Sequence, residues 1–313
     1  MTTAVNPSSR LTSQLVNWVL SNKPLFHLAK QQARRMMKKR AASIGVEWMK
    51  EVAVLRSRGG TEEFSPEWTT ELAQIQNNQL RYPDYYLRPF HAYEQGNLSW
   101  EAAMEVEVAA HAVHARLWTD AGRQGSTRLR QNYIAALKSH LSSAPQAIVD
   151  LGCSVGMTTF ALQEAYPNAQ IAGVDLSPYF LAIARYRTQQ RQTHVNWIHA
   201  AAESTGLASA SFDLVSVFLV FHELPQSAAV AVLHEARRLL HPEGHIAITD
   251  INPRSPTHAQ MPPYILTLLK STEPYMDEYF ALDLEQAIIE AGFTPPTVTS
   301  ISPPHRTLIA RAL

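Results

Sequence analysis

The pattern of apolar and polar positions divides the chain into two parts. From about residue 126 onward, short apolar runs alternate with segments of helical periodicity. Strands that alternate with helices pair in parallel through right-handed crossovers, so this part predicts a three-layer α/β fold. The predicted parallel strands are residues 146–151, 170–175, 195–199, 213–219 and 245–250.

The last two strand-like segments differ from the others, because no helical segment separates them. They cover residues 297–302 and 307–312, and only residues 303–306 join them. So short a link cannot hold a crossover helix. We therefore expect an antiparallel hairpin at the C-terminal end of an otherwise parallel sheet.

The first 125 residues carry helical patterns. One helical face begins at Leu11, and a second helix is expected from about Leu25 into the basic run at residues 34–40. We interpret the basic run as a solvated helix face, with contact to an anionic membrane surface or an acidic partner as the alternative. The predicted organisation is an N-terminal helical extension, residues 1–125, followed by a larger unit, residues 126–313.

A further helix is predicted after Ser99, which can cap its first turn. His111 and His114 lie one turn apart in this helix, and no third ligand follows at metal-site spacing, so we place both on its polar face. The apolar positions form a stripe that we expect to be buried: Val106, Ala110, Val113 and Leu117.

The composition restricts the class of protein. A content of 46% hydrophobic and 17% charged residues over 313 positions is typical of a globular chain with a sizeable core. The 27 basic and 27 acidic residues balance, so no overall field attracts nucleic acid. One cysteine excludes an internal disulfide framework. With no signal-peptide pattern and no apolar run of about 20 residues, we predict a soluble, cytoplasmic protein.

An irregular aromatic segment, residues 82–93, lies late in the extension. It holds four tyrosines, a phenylalanine and a histidine, and its two prolines prevent a regular helix. Its rings must be buried while their hydroxyl groups find partners. We weigh two interpretations equally: a lid over a ligand, or a connector that packs the N-terminal helices on the main unit.

The most distinctive stretch is residues 147–165, where an apolar strand leads into Asp150, a glycine turn and a helical pattern. Such a turn holds a nucleotide-like ligand against backbone amides. The next predicted strand ends on Asp175, where a carboxylate can accept the hydroxyl groups of a ribose. These features together predict a site for an adenosine-containing ligand.

Three details favour S-adenosylmethionine over a dinucleotide. Between Gly152 and Gly156 stands Ser154, where a dinucleotide fingerprint has the middle glycine that a pyrophosphate needs. Asp150 would repel a phosphate but suits a ligand with an ammonium end. The third detail is the antiparallel hairpin that we expect at the C-terminal end of the sheet. Adenosine with a positively charged, amine-bearing tail describes S-adenosylmethionine.

Several motifs, in order, resemble the class I S-adenosylmethionine-dependent methyltransferases. They are Asp150-Leu151-Gly152-Cys153-Ser154-Val155-Gly156, Gly173-Val174-Asp175-Leu176-Ser177-Pro178, Phe212-Asp213-Leu214-Val215 and Leu240-His241-Pro242-Glu243-Gly244. The resemblance covers about residues 127–313. It implies a Rossmann-like three-layer sheet, with S-adenosylmethionine as cofactor and S-adenosylhomocysteine as product.

The resemblance also implies which residues hold the cofactor. Asp175 would accept both ribose hydroxyl groups, and Leu176 would pack on the adenine. Many relatives carry an acid for the adenine amine at the position of Ala201, so Glu203 or water would have to take that role here. The implied cofactor-binding residues are Asp150, Gly152, Cys153, Ser154, Gly156, Asp175, Leu176, Ala202, Glu203, Phe218 and Tyr86.

His222 follows the fourth strand, where small-molecule members of the family place residues that face the acceptor. An imidazole with the ordinary pKa of about 6.5 can accept a proton at neutral pH, so His222 is a candidate base. The alternative is a polar residue that orients the loop. His222-Glu223 begins like a zinc-protease motif, but Pro225 and Gln226 interrupt it. We predict no metal site.

The remaining site residues are predicted for catalysis and for acceptor binding. The candidates for catalysis are His222, His91 and Tyr93. The candidates for acceptor binding are Tyr85, His91, Tyr93, His222, Tyr264, Tyr275 and Tyr279, although ordinary packing explains the last three equally well. Residues 261–264 read Met-Pro-Pro-Tyr, without the Asn or Asp that heads the motif of amino-group methyltransferases acting on nucleic acid.

The expected function is methyl transfer from S-adenosylmethionine to a small aromatic or lipophilic acceptor. Residues 221–225 are loosely similar to the ubiquinone/menaquinone-type methyltransferases. Two alternatives stay open at this point: a nicotinamide-dependent oxidoreductase, and a methyltransferase-like binding protein without catalysis. The sequence leaves the acceptor, the methylated atom and the oligomeric state undetermined.

Overall fold

The computed structural model describes residues 23–89, 91, 93–262, 265, 269–270 and 272–313. The predicted helical face that begins at Leu11 and the candidate acceptor residue Tyr264 lie outside the described residues. No helix within the described ranges has both the length and the apolar character needed to cross a bilayer.

In the described part of the chain, one sheet of seven strands has the order β3-β2-β1-β4-β5-β7-β6. The first five strands are parallel, while β7 is antiparallel to both β5 and β6, as the short final link predicts. The strands are β1 Ala147–Leu151, β2 Gln170–Asp175, β3 Asn196–His199, β4 Phe212–Phe218, β5 Leu240–Ile251, β6 Thr297–Ser300 and β7 His305–Arg311.

Strand β5 begins earlier than predicted because of a local irregularity. Leu240 pairs with Phe212 and His245 pairs with Leu214, so the intervening residues of β5 bulge out of register. Glu243, within this bulge, has a left-handed φ of +70°. Regular pairing from His245 onward matches the predicted strand.

Helices cover both faces of the sheet. Adjacent residues of β1 point to opposite faces: Ile148 packs with Leu129 of α5, and Val149 belongs to the cluster that contains Leu233 of α8. Among the described residues, the helices of four residues or more with assigned bounds are α1 Lys23–Ser43, α2 Trp48–Ser57, α3 Glu67–Ile75, α4 Trp100–His114, α5 Gly125–His140, α6 Met157–Ala165, α7 Pro178–Arg191, α8 Gln226–Leu239, α9 Pro256–Ala259, α10 Met276–Ala281 and α11 Leu284–Glu290.

The N-terminal helices pack on the sheet unit through α7. Trp68 of α3 is fully buried and meets Tyr186 of α7 edge-on, with ring centroids 5.2 Å apart. Beside them, Glu71 lies 3.4 Å from Arg58 and 3.3 Å from Arg185. This contact fixes the helices above the carboxyl ends of the strands, where the predicted site residues lie.

The prediction for α4 is correct at its start and wrong about its buried face. Ser99 caps the helix by accepting a bond from the amide of Ala102 at 3.2 Å. Val113, however, is 51% exposed, and Val106 and Ala110 are only half-buried. The helix packs through a different set of residues: Ala102, Ala103, Met104, Glu105, Val108, Ala112 and His114. Val106, Ala110 and Val113 instead border a cavity, while Leu117 lies beyond the end of the helix and packs against the cluster that contains Leu129.

The prediction that His114 lies on a polar face is also wrong. Its side chain is buried, with Nδ1 3.2 Å from the hydroxyl of Ser126. Burial lowers the pKa of His114 well below its ordinary value, so the ring is neutral. The two histidines are neighbours on the helix surface, but His114 faces Ser126 of α5, whereas His111 is only half-buried.

Candidate active site

A cavity of about 550 Å³ lies where the strand ends meet the N-terminal helices. Most of the predicted site residues line it. They are Tyr85, Tyr86, His91, Tyr93, Asp150, Gly152, Cys153, Ser154, Asp175, Leu176, Ala202, Glu203, Phe218 and His222. Gly156, Tyr275 and Tyr279 do not line the cavity, and their positions are described below.

The turn after β1 requires glycine at two positions. Gly152 has a φ of +71°, and a Cβ atom there would lie 2.5 Å from Cγ2 of Val220. Gly156 has a φ of +83°, and a Cβ atom there would lie 2.7 Å from the ring of Trp197. Gly156 closes the turn by donating to the carbonyl of Cys153 at 2.9 Å and begins α6. It therefore shapes the cavity without lining it.

Asp175 and Ser154 are fixed against each other at the end of β2. One carboxylate oxygen of Asp175 accepts from the amide of Ser154, and the other from the amide of Ser177, both at 2.7 Å. The hydroxyl of Ser154 is buried and has no hydrogen-bond partner among the described residues. A carboxylate that already accepts two bonds keeps lone pairs for the hydroxyl groups of a ribose.

The affinity for S-adenosylhomocysteine is expected to rise as the pH increases through 7. Burial raises the pKa of Asp175 to about 7, so the carboxyl group is largely protonated below that pH. Ribose hydroxyl groups donate to the ionised form, so the affinity falls by up to about tenfold per pH unit below the pKa. Calorimetric titrations between about pH 6 and pH 8 measure this, and Asp175→Asn serves as control. The same pH dependence in the variant would contradict the assignment.

Asp150 and Arg130 form a second polar part of the wall. The carboxylate of Asp150 accepts from Thr159 at 2.6 Å and from Ser216 at 2.8 Å, and burial raises its pKa to about 6. Arg130 also lines the cavity, and burial lowers its pKa to about 10, so its guanidinium stays charged. An acid and a base close together fit the ammonium and carboxylate groups of a methionine moiety.

Sequence reasoning missed Arg130. It lies in α5, before the glycine turn, where its Nε donates to Thr158 at 3.1 Å and its Nη1 to the hydroxyl of Ser126 at 2.7 Å. The guanidinium also lies over the ring of Phe218, 5.1 Å from the centroid. No motif marks one arginine in a helix, so only the tertiary structure reveals it.

Glu203 provides the polar group at the adenine end of the predicted site. The hydroxyl of Tyr85 donates to Oε1 of Glu203, and Oε2 is buried with no hydrogen-bond partner among the described residues. A buried carboxylate oxygen without a donor fits a ligand that carries an amino group. Leu176 and Ala202 line the same region. These residues therefore fit an adenosine, as Ser154 and Asp175 do.

The aromatic segment lies against the cavity. Tyr82 anchors it, because its hydroxyl is 3.2 Å from Nε2 of His199 at the end of β3. Tyr82 and Tyr86 stack with ring centroids 6.2 Å apart. The hydroxyl of Tyr93 donates to Glu105 at 2.8 Å, and Arg34 lies over its ring. This placement is compatible with a lid, and the lid role remains a prediction.

His222 is bound to a partner that sequence reasoning missed. Its Nδ1 lies 2.7 Å from Oδ1 of Asp250, the buried residue near the end of β5. Burial lowers the pKa of His222, but the charge of Asp250 and the hydrogen bond to it outweigh this and raise the pKa to about 9. The ring is therefore mostly charged at neutral pH, unlike the imidazole of ordinary pKa on which the sequence prediction rests.

Tyr275 and Tyr279 stand behind the cavity wall and support residues that line it. The hydroxyl of Tyr279 donates to the carbonyl of Ile251 at 2.6 Å, and its ring meets His222 edge-on at 6.5 Å. Tyr275 meets Tyr85 edge-on at 6.2 Å. Both tyrosines are buried, and neither is among the residues that line the cavity.

The sequence and the fold match known methyltransferases. Residues 148–244 match a family described as a methyltransferase domain. The demethylmenaquinone methyltransferase of Thermus thermophilus is 30% identical over 113 residues, which cover 36% of this chain and 50% of that protein. The malonyl-[acyl-carrier protein] O-methyltransferase of Legionella pneumophila is 34% identical over 116 residues, 36% of this chain and 39% of that protein. The chain thus spans half or less of these relatives.

Two solved structures share the fold. A candidate O-methyltransferase from Nostoc punctiforme superimposes with a TM-score of 0.53 at 18% identity, over 83% of this chain and 70% of that one. Phosphoethanolamine N-methyltransferase 2 of Haemonchus contortus, in complex with S-adenosylhomocysteine, gives a TM-score of 0.51 at 13% identity, over 69% of this chain and 60% of that one. The two structures show the shared fold, while the family match, with the sheet order and the glycine turn, places residues 148–244 in the class I S-adenosylmethionine-dependent methyltransferases, with S-adenosylmethionine as the cofactor.

Proposed function

We propose that this chain transfers the methyl group of S-adenosylmethionine to a small acceptor with an aromatic or lipophilic body. The observation that carries the proposal is the continuity of the cavity. It joins the strand ends that fit the cofactor to an apolar chamber lined by the N-terminal helices. Matches to methyltransferases for demethylmenaquinone and for ubiquinone biosynthesis support an acceptor of this kind.

The apolar chamber is lined by apolar side chains of three N-terminal helices. Val106 and Ala110 of α4 line it from one side, and Met37 of α1 and Trp48 of α2 line it from the other. Each Å² of apolar surface removed from water stabilises a complex by about 25 cal/mol, so such a chamber favours an apolar ligand. This explains why an apolar stripe of α4 is left half-exposed.

The outer end of the chamber supports a contact with an anionic surface. Met36 and Val113 line it and are 40% and 51% exposed. Two cations, Arg40 and Arg116, also line the cavity. Other charges of the basic run are used internally: Arg34, for example, bonds to Glu101 and Glu105 at 2.8 Å. We propose that a membrane surface or an acidic partner meets the residues that stay exposed.

The residues of the site would act by binding and positioning. The sulfonium of the cofactor supplies an electrophilic methyl group. Asp175 and Ser154 hold the ribose side, and Asp150 with Arg130 holds the amino-acid side, so the reacting end is directed toward His222. The N-terminal helices exclude water from the chamber. His222, held by Asp250 and charged at neutral pH, orients the acceptor by donating a hydrogen bond to its oxygen.

The proposal is tested by measuring S-adenosylhomocysteine formation with a panel of acceptors. Phenols and quinols with progressively larger apolar substituents are compared with small polycarboxylates. We expect acceptor-dependent turnover, with kcat/KM rising as the apolar part grows. Titration with NAD under the same conditions checks the oxidoreductase alternative. Tight cofactor binding without turnover on any acceptor would contradict catalysis, and heat from NAD but not from S-adenosylmethionine would contradict the cofactor site.

Filling the chamber is expected to lower kcat/KM for the acceptor without changing the affinity for the cofactor product. In Ala110→Phe the added ring occupies the space assigned to the apolar body, so kcat/KM for the acceptor falls by at least about tenfold. The dissociation constant of S-adenosylhomocysteine stays unchanged. Val54→Phe, the same kind of enlargement at a 56% exposed position of α2, is the control. Equal losses in both variants would contradict the chamber as an acceptor site.

A further inference from the structure

Three side chains of metal-ligand type converge on one point of the cavity wall. Nε2 of His91 lies 3.2 Å from Oε1 of Glu223 and 3.2 Å from Oε1 of Glu273. The three ligand atoms all lie within 4.8 Å of one another, and all three residues line the cavity. They come from the aromatic segment, from the turn after β4 and from the segment before α10, so no sequence spacing indicates the group.

His91 is held in the orientation that a metal ligand requires. Its Nδ1 lies 3.3 Å from Oδ1 of Asn97, so an N–H at Nδ1 donates to the amide, while Nε2 faces the two carboxylates and would give up its proton on binding an ion. Asn97 is buried, and its own carbonyl accepts from Ser177 at 2.7 Å. The backbone of His91 has a left-handed φ of +48°, fixed by a bond from its amide to the carbonyl of Thr272. Strain of this kind is typical of functional sites.

Glu273 supplies an independent indication of a ligand. Its side chain is 8% exposed, and its Oε2 is buried without a hydrogen-bond partner among the described residues. A buried carboxylate oxygen in this state is a costly arrangement unless an ion or ligand completes it. Glu223 is more open, with 22% of its side chain exposed, and gives the site access to the cavity.

We propose that His91, Glu223 and Glu273 bind a divalent first-row transition-metal ion, of which Mn²⁺ is the practical probe. One imidazole and two carboxylates form a mixed set of nitrogen and oxygen ligands that suits such ions. None of the three ligands is a thiolate, which would favour softer metals. Three protein ligands leave coordination positions open toward the cavity. An acceptor with two adjacent oxygen atoms, such as a vicinal diphenol, fits those positions as a chelate.

The ion would act on the acceptor by lowering the pKa of a coordinated hydroxyl group. That hydroxyl loses its proton to solvent, and its oxygen forms a bond to the methyl carbon. The bond between this carbon and sulfur breaks, and its electron pair stays on sulfur, which leaves the neutral thioether. This role rests on the proposed function, whereas metal binding rests only on the three ligands.

The test is a titration of the full chain with Mn²⁺, followed by electron paramagnetic resonance, in the absence of acceptor. We expect one saturable site per chain. Glu223→Gln and Glu273→Gln each weaken it by at least about tenfold, and Asn97→Ala, which removes the outer partner of His91, weakens it by about tenfold. Glu164→Gln makes the same change of charge at a side chain that is 72% exposed and paired with Arg191, and leaves the affinity unchanged.

Two further measurements are needed. The first distinguishes misfolding from a specific loss of the metal site, and the second distinguishes the metal proposal from the proposed function. Each variant must retain S-adenosylhomocysteine affinity within about threefold, which shows a folded cofactor site. Removal of the ion with a chelator is expected to lower turnover of vicinal diphenols by at least about tenfold more than turnover of single phenols. Absence of a saturable Mn²⁺ site, binding that is insensitive to both glutamate variants, or equal chelator effects on the two acceptor types would overturn the metal proposal. Turnover of single phenols would meanwhile uphold the proposed function.

Discussion

Asp175→Asn is expected to weaken S-adenosylmethionine binding by at least about 100-fold. The carboxylate accepts the amides of Ser154 and Ser177 at 2.7 Å each, and under the proposed function it also accepts the ribose hydroxyl groups. Hydrogen bonds to a charged group contribute about 1.5–3 kcal/mol each, so the loss of two such bonds amounts to about two orders of magnitude in affinity. Isothermal titration calorimetry with S-adenosylhomocysteine measures the loss.

The matched control is Asp213→Asn. Asp213 also accepts two backbone amides, those of Gln146 and Ala147 at 2.8 and 3.0 Å, but it lies at the opposite end of the strands. Its replacement removes a carboxylate of similar structural role without touching the cavity. Comparable losses of affinity in the two variants would show that Asp175 acts only through the fold.

His222→Ala is expected to lower kcat by about 100-fold or more, while the affinity for S-adenosylhomocysteine stays within about threefold. Loss of a group that positions the acceptor can lower the rate by about 10²-fold, and the charged ring of His222 lines the cavity beside the predicted acceptor. Presteady-state kinetics with a phenolic acceptor gives the rate of methyl transfer directly. His245→Ala, which removes a histidine near the amino end of the neighbouring strand, is the control.

Asp250→Asn tests how His222 is held. The carboxylate contacts Nδ1 of His222 at 2.7 Å and accepts its backbone amide at 3.2 Å. Asp250 is fully buried beneath the ring, so it acts on the acceptor only through His222. We expect kcat to fall while KM for the acceptor changes little, and His222→Ala combined with Asp250→Asn to be no slower than His222→Ala alone. Additive losses would contradict this coupling.

Local signals in the sequence predict the fold and the cofactor side of the site. The glycines at 152 and 156 are required by the positive φ angles of the turn itself, and Asp175 ends a strand of obvious pattern. The antiparallel end of the sheet follows from one short link, residues 303–306. Each of these features depends on residues that are close together in the chain, which explains why the sequence predicts them.

The acceptor side depends on distant segments, and the sequence pattern does not reveal it. His222 meets Asp250, 28 residues away, and this contact changes the pKa on which its predicted role rested. Helical periodicity identifies the apolar stripe of α4 but not whether protein or a cavity covers it. For the same reason Tyr275 and Tyr279, for which the sequence left an acceptor wall and ordinary packing equally open, lie behind the wall.

The central claim is that one cavity brings cofactor and acceptor together for methyl transfer. A single-turnover experiment tests it most directly, with protein in excess over S-adenosylmethionine that carries an isotopically labelled methyl group. With a phenolic or quinol acceptor, the label is expected to move to the acceptor as S-adenosylhomocysteine forms in equal amount, and to stay on the cofactor in Asp175→Asn under the same conditions. Retention of the label on the cofactor in the wild-type protein, with every acceptor of the panel, would contradict the account.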